Sequence, residues 1–407
     1  MEPNCPGRNK LKATDPNPTP PADVTSLADQ HGASCRFDPI TGDWAIFAST
    51  RNQRPDQFQR NRASTADASI DCPFCAGAEQ TTPPAVWIGR PAGELQEDGF
   101  KPASADQSTT LASFHCTDNQ DSIQQADGQD WTVRVVPNKY PAISPLASAT
   151  EPMPKPGRLF YEKRVCGGHE VIIESPRHVQ SLSDLDPADF TLSFAAYRDR
   201  IRYWHDQPGI QYISLFKNAG GNAGASLAHS HSQLIATDML PNRVETSTKR
   251  MMQYRAQTGC CLQCDLLRAE LKEKTRVIAK TDDLVAFCPF ASKLPMSVRI
   301  TTRKHESRFE QLSDATIESI AFLVKRVIGW IDQVRPGAAY NFLIHTRPPG
   351  VADCDDAFHW ALDIFPRVTL LAGFEFSSDC MINPTMPEIA AAELRDCVAA
   401  EDPRNVL

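Results

Sequence analysis

The chain has 407 residues, of which 41% are hydrophobic and 23% charged, and its formal net charge at pH 7 is −8. This length accommodates two domains or two fused halves, and the composition is that of a globular protein in water. The acidic balance argues against a nucleic-acid or anionic-membrane partner, and no apolar run reaches the ~18 residues of a membrane span. The N-terminus lacks an apolar signal segment, so we expect a cytoplasmic protein.

The N-terminal region is predicted to be a disordered tail. Residues 1–33 are rich in Pro, Asn, Asp and Ala, and they include a Pro-rich run at 16–21. Structure is expected from Cys35 onward, where Asp38-Pro39 marks a turn before a short strand. Residues 91–130 hold few large apolar side chains, which predicts a mobile surface insertion.

The rest of the chain contains an internal repeat with the order Cys-x-x-Cys, strand, strand, His, helix, strand, His. In the first half, residues 34–240, these terms are Cys72–Cys75, strands at 131–136 and 170–174, His178, a helix that begins after Asp186, a strand at 212–216, and His229. In the second half, residues 241–407, they are Cys261–Cys264, strands at 284–288 and 297–301, His305, a helix capped by Ser313, a strand at 340–345, and His359. The repeat predicts an α+β fold with two antiparallel sheets side by side, each flanked by its helix.

Each half offers two cysteines and two histidines, a ligand set that suits tetrahedral zinc. One set is Cys72, Cys75, His178 and His229, and the other is Cys261, Cys264, His305 and His359. Free thiols or a redox pair are the alternative for an isolated Cys-x-x-C pattern, but two pairs with matching downstream histidines favour a metal. His115 and His169 are rival ligands for the first site, and His178 is preferred because the repeat pairs it with His305. The sequence predicts two zinc ions per chain.

A glycine-rich loop at residues 218–226 precedes His229 and His231, two histidines that are two residues apart. Such a loop lets backbone N–H groups approach an anion closely. If His229 binds zinc, His231 is free to supply a neutral imidazole that can attack phosphorus. The counterpart of His231 in the second half is Ala361, whereas His229 has a counterpart in His359. The repeat therefore retains the metal position and not the nucleophile.

Further side chains are candidates for binding phosphate oxygens. Gln233 can donate its amide hydrogens without adding charge, and Asn218 and Ser226 are donors on the glycine-rich loop. Arg51 and Arg54 follow a strand, and two guanidinium groups there could clamp phosphates.

These residues resemble the galactose-1-phosphate uridylyltransferase family, within the histidine-triad superfamily, from about residue 34 to 400. The pattern from Asn218 through Ser226 and His229 to Gln233 is similar to the family's active site. The segments around Cys72 and His178 are similar to its structural zinc site, and Arg51, Arg54 and Asn138 are similar to residues that contact the nucleotide.

The resemblance implies a duplicated histidine-triad-like fold, a homodimer and a ping-pong transfer. In that transfer His231 attacks the α-phosphorus of a nucleotide sugar and releases the sugar 1-phosphate. A second phosphate acceptor then takes the nucleotide from His231. Gln233 would hold the phosphoryl oxygens of the covalent intermediate.

The chain departs from the best-known family pattern in two places. The usual His-Pro-His-Gly-Gln is replaced by His-Ser-His-Ser-Gln, and the second metal set is Cys2His2 where bacterial members have a carboxylate and histidines. Both departures resemble a plant-type branch with ADP-glucose phosphorylase activity. We expect a UDP-glucose:hexose-1-phosphate uridylyltransferase of galactose metabolism. ADP-glucose phosphorylase, in which AMP moves to inorganic phosphate, is the alternative. A zinc-stabilised nucleotide-binding protein is the non-enzymatic alternative.

Overall fold

The computed structural model describes residues 34–48, 72–91, 93–94, 101–102, 111, 114–118, 123, 131–147, 159 and 164–401. The tail predicted at 1–33, most of the insertion predicted at 91–130, and both Arg51 and Arg54 lie outside these residues. Within the described ranges, none of the helices combines the length and the apolar character needed to cross a membrane.

The described residues form six α-helices: α1 (Pro187–His205), α2 (Asn242–Thr258), α3 (Leu262–Glu273), α4 (Asp314–Val334), α5 (Gly373–Ser378) and α6 (Pro387–Glu401). They also form these strands: β1 (Ser34–Phe37), β2 (Trp44–Phe47), β3 (Trp87–Pro91), β4 (Gly93–Glu94), β5 (Lys101–Pro102), β6 (Phe114–Thr117), β7 (Val133–Pro137), β8 (Ser144–Pro145), β9 (Cys166–Ile173), β10 (Tyr212–Ala219), β11 (His231–Thr237), β12 (Val277–Lys280), β13 (Leu284–Phe287), β14 (Val298–Thr302), β15 (Tyr340–His345), β16 (Ala361–Pro366) and β17 (Met381–Asn383).

Most strands belong to one sheet of 12 strands, in the order β12-β13-β14-β16-β15-β10-β11-β9-β7-β3-β6, with β8 beside β9. Its pairs are antiparallel except for β8 with β9. The predicted α+β class with antiparallel strands and flanking helices is confirmed. The two predicted sheets, however, are joined edge to edge, because β10 of the first half pairs with β15 of the second from Leu215↔Ile344 to Ala219↔Tyr340. Such a pairing satisfies backbone groups that two separate sheets would leave exposed at their edges.

The two long helices, α1 and α4, pack against each other and share one hydrophobic core with the sheet. Pro187 occupies the first turn of α1, where its missing N–H is not needed. Ser313 caps α4, since its hydroxyl accepts from the N–H of Thr316 at 3.2 Å. The ring centroids of Phe194 on α1 and Phe342 on β15 are 6.3 Å apart, so aromatic packing crosses from one half to the other.

The apolar positions of α4 recur at helical spacing, as the sequence predicted. All five of them are buried: Ile317, Ile320, Val324, Val327 and Ile331. Asp186, the predicted N-cap of α1, occupies that position but makes no cap bond, because its carboxylate accepts from the Arg177 guanidinium at 2.7 Å. The helix is therefore held by packing of its apolar face more than by its cap.

Part of the predicted 91–130 insertion is integrated into the fold. Strand β6 pairs with β3 at the edge of the large sheet. Leu111 and Ile123 are buried in hydrophobic clusters of the first half. At the other end of the chain, β17 pairs in parallel with β2, so residues near both termini form one small sheet with β1.

Candidate active site and metal centres

Strand β11 sorts the predicted motif onto two faces of the sheet. Side chains along a strand point alternately to opposite sides, so His231 and Gln233 share one face while Ser232 points to the other. Ser232 contacts Tyr197 on α1 at 2.9 Å, which identifies its side as the one covered by that helix. His231 instead contacts the Phe74 ring edge-on, at 5.3 Å between ring centroids, on the opposite side.

The first Cys2His2 set converges on one point. The ligand atoms of Cys72, Cys75, His178 and His229 all lie within 4.8 Å of one another. His229 Nδ1 is 3.4 Å from Cys72 Sγ and 3.6 Å from Cys75 Sγ, close to the roughly 3.6 Å edge of a tetrahedron with zinc bond lengths. His229 Nε2 donates to the Ser175 carbonyl at 2.8 Å, so Nδ1 keeps a lone pair for a metal. Burial lowers the pKa of His229 to about 4, which keeps the ring neutral.

The second set comes together less completely. The ligand atoms of Cys261, Cys264 and His305 lie within 4.8 Å of one another. His359, the predicted fourth ligand, places Nδ1 3.4 Å from Cys264 Sγ but is outside that mutual group. Cys261 Sγ lies 3.3 Å from the Ala357 carbonyl oxygen. Hydrogen bonds with Cys264 and His305 lower the pKa of Cys261 to about 5, and a thiolate is the form that ligates metal. These donors fit a soft divalent cation such as zinc.

The predicted nucleophile has a defined tautomer. His231 Nδ1 lies 2.8 Å from the carbonyl of His229, and since a carbonyl only accepts, Nδ1 carries the proton. The other nitrogen, Nε2, therefore presents a lone pair. Burial lowers the pKa of His231, so the neutral ring that can act as a nucleophile is favoured.

Gln233 is oriented by a histidine whose role the sequence left open. His169 Nδ1 accepts from the N–H of Ala142 at 3.1 Å, which puts the ring proton on Nε2. His169 Nε2 then donates to Gln233 Oε1 at 2.9 Å, so the amide NH2 of Gln233 points away from His169. The Asn138 side chain lies 3.2 Å from the same Nε2. His169 thus lies beside Gln233, Asn138 and β11, and it is not among the clustered metal ligands.

The glycine-rich loop is anchored from the second half. The register of β10 and β11 runs to Lys217↔Ser232, one step before Asn218 and His231, so these two are the next opposite positions. Asn341 Nδ2 on β15 donates to Asn218 Oδ1 at 2.8 Å and to the Ala223 carbonyl at 2.9 Å. Ser226 is exposed on the same loop. The loop closes through Gly220 and Gly224, whose φ angles of 84° and 89° suit glycine.

The second half holds a cavity where the first half has its histidine. This space of about 410 Å³ is lined by Ala361, His359, Arg299 and Thr301, among others, and is bounded on another side by α3. Arg299 is held by Asp363, the counterpart of Gln233, through two bonds of 2.7 Å. No imidazole occupies the Ala361 position, so the described cavity has no nucleophile equivalent to His231.

Several residues around the site were not singled out from the sequence. Asn341 lies within an apolar strand, and only its pairing with β10 brings it to the loop. Glu174 and Lys217 are charged residues at the end of one strand and inside another, and both are fully buried. Charged residues within strand-like runs are a usable signal for buried polar contacts, because an unpaired charge there is costly.

Known proteins with similar sequences cover most of this chain. The family model described as Domain of unknown function (DUF4921) matches residues 110–402. An ADP-glucose phosphorylase of Arabidopsis thaliana is 31% identical over 365 residues, which are 89% of this chain and 92% of that protein. A galactose-1-phosphate uridylyltransferase of Thermotoga maritima is 24% identical over 371 residues, 89% of this chain and 97% of that protein.

Solved structures show the same fold. The crystal structure of an Arabidopsis thaliana ADP-glucose phosphorylase with bound ADP-glucose superposes with a TM-score of 0.69 at 30% identity, covering 90% of this chain and 99% of that one. A uridylyltransferase structure gives a TM-score of 0.63 at 23% identity, covering 90% of this chain and 98% of that one. Both the sequence match over most of the chain and the shared fold lead to one assignment: this chain belongs to the galactose-1-phosphate uridylyltransferase family, whose members similar to it include an ADP-glucose phosphorylase.

Proposed function

We propose that this protein is an ADP-glucose phosphorylase, which transfers AMP from ADP-glucose to inorganic phosphate through a covalent adenylyl intermediate on His231. The observation that carries the mechanism is the pair of hydrogen bonds at β11: His231 Nδ1 to the His229 carbonyl, and His169 Nε2 to Gln233. The first leaves a nucleophilic Nε2, and the second leaves an amide donor on the same face of the sheet.

The reaction balances in two displacements. His231 Nε2 attacks the α-phosphorus of ADP-glucose, the phosphoanhydride bond breaks, and glucose 1-phosphate leaves. Inorganic phosphate then attacks the adenylylated His231, the P–N bond breaks, and ADP leaves. Gln233 donates to the phosphoryl oxygens as charge develops on them, and a preorganised donor of this kind is effective because it needs no reorientation. Asn218, Asn138 and Ser226 are proposed to bind the nucleotide, as are Arg51 and Arg54, which lie outside the described residues.

Similarity to known proteins supports adenine as the base and inorganic phosphate as the acceptor. The sequence favoured uridylyl transfer from UDP-glucose to a hexose 1-phosphate, whereas the identity is higher to an ADP-glucose phosphorylase, at 31% against 24% for a uridylyltransferase over similar lengths. The His-Ser-His-Ser-Gln segment supports the same choice. Uridylyl transfer is kept as the second candidate, because uridylyltransferases match up to 89% of the chain.

Both clusters of cysteine and histidine are proposed to bind zinc, giving two ions per chain. Bound zinc would supply folding energy and fix the orientation of its ligands. With its ring on the metal, His229 contributes to the chemical step through its backbone, because its carbonyl accepts the Nδ1 proton of His231.

Label transfer tests the proposal. The protein is incubated with α-32P-labelled ADP-glucose or UDP-glucose, and acid-labile, base-stable label on the protein is measured. We expect labelling by ADP-glucose, discharge of the label as ADP when phosphate is added, and no labelling of His231→Asn. Labelling by UDP-glucose alone would assign the second candidate. Label that persists in His231→Asn would refute the nucleophile.

A further inference from the structure

A buried polar network lies behind the proposed nucleophile, on the face of the sheet that α1 covers. Its charged members are Glu174, which is fully buried, and Lys217, which is 1% exposed. Lys217 Nζ donates to Glu174 Oε2 at 2.5 Å. Burial would raise the pKa of Glu174, but Lys217 and the hydrogen bonds of two serines hold it below its ordinary value, so the carboxylate stays ionised.

The Glu174 carboxylate binds both serines that flank His231. Ser230 Oγ donates to Oε2 at 2.6 Å, and Ser232 Oγ donates to Oε1 at 2.5 Å. The Tyr197 hydroxyl on α1 donates to the same Oε1. One carboxylate therefore joins two points of the motif to the helix behind it.

Lys217 binds the residue between these serines. Its Nζ donates to the carbonyl of His231 and to Ser230 Oγ, each at 3.0 Å. The N–H of Ser230 donates to the Val179 carbonyl at 2.6 Å. The backbone is thus held on both sides of His231 and at His231 itself, while its imidazole is held by the carbonyl of His229.

The side-chain contacts of Glu174 with the segment around His231 depend on the two serines of the motif. A His-Pro-His-Gly-Gln segment has no hydroxyl to donate to Glu174, and a proline at position 230 has no N–H for Val179. Stability alone does not account for the buried ion pair of Glu174 and Lys217, because apolar residues of similar volume are often as stabilising as a buried ion pair. Its contacts converge on the three residues 230–232.

We propose that Glu174 and Lys217 are positioning residues: acting through Ser230, Ser232 and the His231 carbonyl, they hold the nucleophile so that its Nε2 faces the phosphorus to be attacked. This inference rests on the proposed function. Small displacements of a reacting group lower the rate of the chemical step without preventing substrate binding.

The test measures the rate of covalent labelling in single turnovers, with full-length protein in excess over α-32P-labelled ADP-glucose. We expect Glu174→Gln and Lys217→Met to slow labelling by about tenfold or more per zinc-loaded folded molecule. The dissociation constant for ADP-glucose should change by less than about threefold, since the network does not touch the substrate face. Histidine-selective 15N NMR should show His231 as the Nδ1–H tautomer in the wild type and a mixture in the variants.

A second buried ion pair in the same half provides a matched control. Arg200 on α1 and Glu170 on β9 are bound at 2.6 and 2.9 Å and are similarly buried. Their other side-chain hydrogen bonds go to Val86 and Trp204 rather than to residues 229–233. Arg200→Met should lower stability and leave the labelling rate of the folded fraction unchanged. If Glu174→Gln does not fold, Ser232→Ala decides: loss of one hydroxyl should slow labelling by roughly threefold or more.

Wild-type labelling rates in Glu174→Gln, Lys217→Met and Ser232→Ala would overturn the inference. An equal loss of rate in Arg200→Met would also overturn it, because the effect would then follow from any broken buried pair. Failure of the wild type to accept label from either nucleotide sugar is a different result, since it rejects the proposed function itself.

Discussion

One residue step along β11 separates side chains that face the proposed substrate from side chains that support the strand. His231 and Gln233 lie on one face, and Ser232 lies on the other against Tyr197. On the substrate face, His169 is locked by the Ala142 N–H, so its only ring proton is directed to Gln233. The orientation of one amide group thus depends on the tautomer of a histidine on the neighbouring strand.

Replacing His169 should therefore disturb catalysis more than binding. In His169→Phe, Gln233 Oε1 loses its donor and the amide can rotate, so we expect kcat to fall by about tenfold, less than for loss of a direct oxyanion donor. The same substitution at His205, at the end of α1, should leave kcat unchanged. Steady-state kinetics with ADP-glucose and phosphate measure both. Unchanged kcat in His169→Phe would contradict this role.

Gly168 on β9 is required by close packing. A Cβ built there would lie 1.8 Å from Cζ2 of Trp204, whose Nε1 donates to Glu170 at 2.9 Å. We expect Gly168→Ala to lower the free energy of unfolding by about 1–3 kcal/mol, because the indole must move. In contrast, Gly329→Ala in α4 meets open space and should raise it by roughly 0.5–1 kcal/mol. Urea unfolding followed by circular dichroism compares the two, and an unchanged midpoint for Gly168→Ala would contradict the packing argument.

At the scale of elements, short-range sequence patterns predicted individual helices and strands, but they did not predict which distant strands pair. Ser313 and the apolar period of α4 identified that helix, and the strand at Tyr340–His345 has the predicted bounds. Helices α2 and α3 were not predicted; Cys261 proves to be the N-cap of α3, so the second Cys-x-x-Cys opens a helix. The pairing of β10 with β15 depends on residues more than 100 positions apart, and no local pattern encodes its register.

The metal clusters link elements that are distant in sequence. The first joins the loop at Cys72 and Cys75 to the segment before β11, and the second joins the start of α3 to His305. We expect about two zinc ions per chain by elemental analysis. Cys72→Ala and Cys261→Ala should each lose about one ion and melt roughly 5 °C lower or more, since ligation contributes to folding. Cys35→Ala, at an exposed position of β1, should keep both ions. Full zinc content in both cluster variants would contradict the ligand sets.

At the scale of the whole molecule, the two halves share one sheet and one core. Trp330 and Phe342 of the second half belong to the same hydrophobic cluster as Phe194 and Tyr197 of the first. The sequence predicted the two halves but not the joining of their sheets, because each half could also have formed a separate sheet. The homodimer implied by the resemblance stays a prediction, and light scattering of the purified protein tests it.

The shared core predicts that residues 34–240 do not fold by themselves. In that fragment β10 loses its partner β15, and α1 loses its packing against α4, so a large apolar surface becomes exposed. We expect a fragment that lacks a cooperative thermal transition, whereas the full chain should show one. Circular dichroism and calorimetry measure this. A native-like, cooperatively melting fragment would contradict the prediction.

Asn341 of the second half supports the loop beside the proposed nucleophile. From β15 its amide holds both Asn218 and the Ala223 carbonyl, so the loop beside His231 is fixed by residues of the other copy. Under the proposed mechanism, the first half carries the nucleophile and the second half supports the loop beside it. Removal of the second half would remove both hydrogen bonds, so the loop beside His231 would lose its support from Asn341.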